Sequence, residues 1–204
     1  MSLTLTAAVL GSYMLGAVPF GLLLSKAFSD LDPREHGSGN IGATNAMRTG
    51  GKKVGILTLL ADIAKSLIPV WLAVWFELPE IWIAAIALAT FLGHLFPVYL
   101  NFKGGKGVAT MLGAILPWQP LAALTGLLIW IVAILISRYV SLSSIIAALA
   151  LPILLVWFEG SLPALIVSMV FASLVTLKHG SNIKRLMDGT ESRIGKSRKA
   201  NTDG

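Results

Sequence analysis

The stretch "FKGGKGVATMLGAILPW", residues 102–118, decides how many times this chain crosses a membrane. Its second half, Val108–Trp118, is apolar but only about half as long as the roughly 20 residues that span about 30 Å of hydrocarbon. The surrounding composition makes the crossing the natural question. Of 204 residues, 55% are hydrophobic and 13% charged, and the mean hydropathy is +0.79. So little polar surface cannot cover a soluble domain, which makes this an integral membrane protein.

Six longer apolar segments surround the short one: Leu3–Ser25, Val54–Phe76, Ile81–Val98, Leu121–Ile136, Leu142–Phe158 and Leu162–Leu177. If Val108–Trp118 also crosses, fifteen of the sixteen Lys and Arg residues fall on one face, and Glu77, Glu80 and Glu159 fall on the other. That is the positive-inside bias. Without the short span the basic tail would lie outside. The expectation is therefore an all-α polytopic protein of seven transmembrane helices, N-terminus outside and C-terminus cytoplasmic, with the short span lengthened at its start by part of the glycine loop. The expected organisation is one domain over residues 1–195 and a disordered basic tail over 196–204. The first segment lacks a basic n-region and is too long for a removable signal peptide. The absence of cysteine excludes disulfides and thiolate metal sites. The net charge of +6 follows from topology and anionic headgroups, and no nucleic-acid motif appears.

Three polar stretches fall on the basic face: "HGSGNIGATNAMRTGGKK" (36–53), "HLFPVYLNFKGGKGVAT" (94–110) and "KHGSNIKRLMDGTESR" (178–193). In the second, Gly104, Gly105 and Gly107 allow backbone N–H groups to converge on an anion, Val108 opens a helix N-terminus, and Lys103 and Lys106 add full charges. On these residues alone the loop reads equally as a flexible turn. It is not a nucleotide P-loop, which needs G-x-x-x-x-G-K-[ST]. In the first stretch, Ser38, Asn40, Thr44 and Asn45 offer hydroxyl and amide groups and Arg48 a bidentate grip; Ser38 or Thr44 could equally cap a helix. In the third, His179, Asn182, Lys184 and Arg185 follow the last span at headgroup depth. Ser141 and Ser143 are weaker candidates on the same face. Within the spans, Asp62 and Lys65 are three residues apart and are expected to pair inside the bundle. His94 is expected to hydrogen-bond in the bundle or face the site.

The ordered motifs "GSGNIGATNAMR", "GHLFPVYLNFKGGKGVAT" and "HGSNIKRLMDGTES" closely resemble those of the bacterial acyl-phosphate-dependent glycerol-3-phosphate acyltransferases, over nearly the whole chain. The resemblance implies transfer of a fatty acyl group from acyl phosphate to the 1-hydroxyl of glycerol 3-phosphate, giving lysophosphatidic acid, in the bacterial inner membrane. It implies catalytic roles for Ser38, Asn40, Arg48, Lys106, His179 and Asn182. By the same resemblance substrate-binding roles fall to Asn45, Lys103, Gly104, Gly105 and Gly107, and Thr44 and Ser143 are substrate-binding candidates from residue type and their place on the same face. No Asp/Glu cluster suggests a metal site, so no metal and no cofactor are expected; the expected partners are glycerol 3-phosphate, acyl phosphate, membrane lipids and an acyl-phosphate-producing enzyme. Tyr99 stands where the His-x-x-x-x-Asp pair of other acyltransferases would need Asp. Gly180 and Ser66 depart from the family pattern, away from the expected contacts.

The chemistry agrees with the residue types. An acyl phosphate is a mixed anhydride with a good leaving group, so the site mainly holds two phosphates close and neutralises them. The leaving phosphate is expected to take the alcohol's proton, with His179 orienting a substrate. The rival class is an organic-anion transporter with a re-entrant glycine loop, which would place its site near the midplane between paired repeats.

Overall fold

The computed structural model describes residues 2–158 and 161–195, and among these every regular element is a helix. The elements are α1 (Ser2–Ala17), α2 (Phe20–Ser29), α3 (Ala43–Trp75), α4 (Glu80–Leu95), α5 (Val108–Trp118), α6 (Pro120–Ser137), α7 (Val140–Phe158), α8 (Leu162–Lys178) and α9 (Gly180–Met187). By length and apolarity, five helical stretches can cross a membrane: Leu3–Ser29, Ala43–Trp75, Glu80–Leu100, Pro120–Ser137 and Val140–Phe158. A sixth is α8 taken with α9, bent by 56° where they join. The eleven-residue α5 is shorter, about 16 Å by its rise.

Three sequence expectations change. The first apolar segment breaks at Val18–Pro19, because proline carries no N–H to continue the ladder. Helix α3 begins at Ala43, not at Val54, so half of the first polar stretch is helical and runs through a kink at Gly51 (φ 87°). The glycine loop adds no turn to α5, which starts at Val108. Loop amides that would have extended the helix instead donate to the end of α4: Gly104 N–H to Leu95 O at 3.2 Å and Gly105 N–H to His94 O at 3.1 Å. The expected tail, 196–204, and Glu159 lie outside the described residues.

With lipid rather than water outside, close backbone approach holds the helices. A Cβ on Gly16 would lie 2.2 Å from Thr90 O, and one on Gly93 would lie 2.3 Å from Tyr13 O, so α1 and α4 meet main chain to main chain. Ser66, in place of the expected glycine, shares a 2.7 Å hydrogen bond with Thr90 Oγ1. The core behind these contacts is capped by the Phe91 and Phe171 rings, fully buried with centroids 4.2 Å apart.

The two ends of the bundle differ in chemistry. At one end, Ser161 Oγ donates to Glu80 Oε1 at 2.6 Å, and α3 and α7 finish on the exposed aromatics Trp75 and Trp157. At the other, Lys178 Nζ donates to Leu95 O at 3.0 Å and Ile194 N–H to Arg138 O at 2.9 Å. These bonds bring the ends of α4, α6 and α8 to one level. All three polar stretches lie there.

Candidate active site

The first stretch forms a loop organised by one buried side chain. Asn45, on the first turn of α3, accepts from Ser38 N–H at 2.8 Å. Its amide donates towards Pro33 O (2.7 Å), Asn40 O (2.9 Å) and His36 O (3.1 Å). These bonds use both ends of the amide, so Asn45 shapes the loop. Asn40 Oδ1 accepts from Gly42 N–H at 2.8 Å, which sets the entry to α3. Asp32 and Arg34 lock the outer rim by a 2.6 Å pair, and the hydrogen bond from Arg34 holds the Asp32 carboxyl down at about 2. What the loop leaves free faces inward. Neither the Ser38 hydroxyl nor the Arg48 guanidinium has a hydrogen-bond partner among the described residues, and both line the cavity below.

The third stretch is a polar cluster closed by a carboxylate. Glu191 accepts from Ser141 Oγ (2.7 Å), Asn182 Nδ2 (2.7 Å) and Arg185 Nε (2.7 Å). Burial would raise this carboxyl, but the three hydrogen bonds and the Arg185 charge together hold it below its usual value. Asn182, oriented by that bond, turns its Oδ1 to Lys106 Nζ. Lys106 is pushed down to about 8, chiefly by burial and then by the Arg185 charge.

His179 sits between α8 and α9 with Nδ1 2.8 Å from Val175 O. A carbonyl only accepts, so Nδ1 carries the proton and Nε2 presents a lone pair. Burial lowers this imidazole to about 4, so it is neutral near pH 7. Its Nε2 lone pair suits the reception of a hydrogen bond from an alcohol.

Between these elements lies a cavity of about 450 Å³. Ser38, Thr44, Arg48, Lys106, His179 and Asn182 line its polar part. The apolar part runs between α3, α5, α6 and α7 past Ile63, Met111, Ile115, Leu127, Trp130 and Leu151. Main-chain N–H groups from Lys106 to Thr110 have no backbone partner among the described residues, because the first bond of α5 is Met111 N–H to Gly107 O at 2.7 Å. They leave a helix start of free N–H groups beside the Lys106 ammonium, a geometry that suits an anion.

Most of the residues expected from the sequence thus meet on one wall. Four do not. Lys103 is exposed away from the cavity, and Gly104 and Gly105 have their N–H groups committed to α4, so the free amides begin one residue later than the glycines imply. Ser143 is buried and donates to Tyr139 O at 2.9 Å; its neighbours Ser141 and Ser144 face the cavity instead. Sequence reasoning gave no role to Glu191, Trp130 or Ser144. Glu191 and Arg185 are six residues apart, which is no helical spacing, and they meet only because the chain reverses at Gly189 (φ 70°). Among the described residues no group of three His, Cys, Asp or Glu side chains is placed to hold a metal ion.

The glycerol-3-phosphate acyltransferase family model matches residues 6–189 of the chain. The glycerol-3-phosphate acyltransferase of Geotalea daltonii is 51% identical over 183 residues, covering 90% of this chain and 94% of that one. The chain belongs to the glycerol-3-phosphate acyltransferase family. Crystal structures of one member, the integral membrane glycerol 3-phosphate acyltransferase PlsY (YgiH), agree with its fold. The glycerol 3-phosphate form superposes with a TM-score of 0.90 at 38% identity, covering 94% of this chain and 96% of that chain. The lysophosphatidic acid form gives 0.87 at 37%, with the same coverage. This acyltransferase is therefore an integral membrane enzyme, and the cavity joining its three motifs is the candidate active site.

Proposed function

We propose that this acyltransferase moves a fatty acyl group from acyl phosphate to the 1-hydroxyl of glycerol 3-phosphate, at the cytoplasmic surface of the bacterial inner membrane. The observation that carries the reading is one cavity that is cationic and amide-lined at one end and apolar along the rest. A phosphorylated polyol and an acyl chain need those two surfaces in contact. The solved forms of PlsY with glycerol 3-phosphate and with lysophosphatidic acid carry one polyol and one acylated ligand, which matches the two halves.

In the proposed reaction the polyol's phosphate rests on Lys106 and the free amides at the start of α5, and Arg48 with Ser38 receives the donor's phosphate. His179 Nε2 accepts from the attacking hydroxyl. The alcohol oxygen bonds to the acyl carbon, the bond from that carbon to the bridging oxygen breaks, and the departing phosphate takes the hydroxyl proton. Products are lysophosphatidic acid and inorganic phosphate. Catalysis is positioning and charge neutralisation, with no covalent enzyme intermediate. Seven spans support it, with α5 leaving the site at Gly107 and α6 returning to Arg138; the N-terminus is outside and residues 1–195 form one domain. An acyl-phosphate-producing enzyme is the expected neighbour.

Purified protein given a saturated acyl phosphate and glycerol 3-phosphate is expected to release one phosphate per lysophosphatidic acid formed. Uptake into sealed vesicles without phosphate release would instead indicate a transporter. The His179→Ala variant is expected to lose about 10²-fold in kcat; an unchanged rate removes His179 from the reaction.

A further inference from the structure

Asp62 and Lys65 on α3 and His94 in the last turn of α4 are 3–5% exposed, and Asp62 and His94 reach the wall of the cavity. The Lys65 ammonium pairs with Asp62 Oδ1 at 2.9 Å, donates to Val18 O at 3.0 Å, where the first span breaks, and donates to His94 Nδ1 at 2.9 Å. An ammonium only donates, so His94 Nδ1 is the acceptor and the ring proton resides on Nε2. That Nε2 edge faces the glycine loop. A Cβ on Gly105 would lie 2.2 Å from Nε2 and 2.6 Å from Cε1, so the loop rests on the imidazole with no room for a methyl group. The main chain adds to the seat, since His94 O and Leu95 O accept the Gly105 and Gly104 N–H groups. The next residue in the chain is Lys106.

Burying an i,i+3 Asp–Lys pair requires no histidine, and seating a loop on a ring requires no lysine. Their junction couples the two. We propose that Lys65 and His94 are positioning residues for phosphate binding: Lys65 fixes the rotation and tautomer of the His94 ring, the ring seats Gly105, and Lys106 with the first amides of α5 is thereby aimed at the phosphate of glycerol 3-phosphate. The inference rests on the proposed function for the identity of that phosphate.

The test compares purified full-length variants in detergent. Asp62→Asn/Lys65→Met removes both charges together and leaves no orphan ion. His94→Asn keeps an acceptor near Nδ1 for Lys65 but withdraws the ring from Gly105. Each is expected to raise the KM for glycerol 3-phosphate at least tenfold, with kcat and the KM for acyl phosphate within threefold. Gly105→Ala is expected to raise the same KM in the wild type and to add little on top of His94→Asn, because the methyl group then has room. A second readout needs no turnover: inorganic phosphate is expected to raise the unfolding temperature of the wild type and to do so much less for the two variants. An unchanged KM and an unchanged phosphate-induced shift overturn the proposal. So does a uniform loss of kcat and both KM values with a lowered ligand-free unfolding temperature, which marks a purely structural network. A wild type that fails to turn over defeats the functional reading, and the phosphate shift still decides the loop.

Discussion

Lys106 is a residue whose charge state the fold adjusts. Its ammonium, lowered to about 8 chiefly by burial, is present below that pH and lost above it. Glycerol 3-phosphate is already a dianion there, since a phosphate's second ionisation lies near pH 6. The kcat/KM for glycerol 3-phosphate is therefore expected to fall as pH rises through about 8, a limb that Lys106→Arg should move beyond the measurable range. A flat profile to pH 10 would show that this charge is not what holds the substrate. The residue types at Ser38, Arg48, Lys106, His179 and Asn182 point to phosphate chemistry on their own, because anion binding needs cations and amides. Their division of labour is not legible in the same way. Asn45 looks like a ligand in sequence and is committed to the loop, whereas Glu191 looks like solvated charge and organises Asn182 and Arg185.

At the scale of the element, the loop between α4 and α5 decides where the free amides point. Gly107 has φ 86°, and a Cβ there would lie 2.4 Å from Phe91 Cε2 and 2.6 Å from Leu95 Cδ1, both fully buried side chains. Gly107→Ala therefore forces a strained backbone and an overpacked core together, each costing about 1–3 kcal/mol. A lower unfolding temperature and a higher KM for glycerol 3-phosphate are expected. Gly180 is the control. A Cβ there meets nothing within 4 Å, so Gly180→Ala, at the start of α9, is expected to leave activity unchanged and stabilise slightly. The two glycines look alike in sequence and differ in backbone conformation and in what the fold packs around them.

For the whole molecule, the proposed topology makes a prediction that the natural absence of cysteine renders clean. Single variants Glu77→Cys and Lys103→Cys, in intact cells treated with a membrane-impermeant maleimide, are expected to label at 77 and to stay protected at 103. Labelling at 103 would place the phosphate-binding end outside and end the proposal for a cytoplasmic site. The lipid solvent, the helical class, the basic face and the three polar stretches are all legible in the amino acids alone, because hydropathy, charge sorting and residue type are local properties of a chain in lipid. Three outcomes needed the folded molecule: the first span breaks at Pro19, α3 reaches back to Ala43, and the glycine amides bind α4 while those of Lys106–Thr110 stay free. They depend on which carbonyls and side chains arrive from distant segments, and a hydrogen bond between residues 94 and 105, or 106 and 182, leaves no trace in either local pattern.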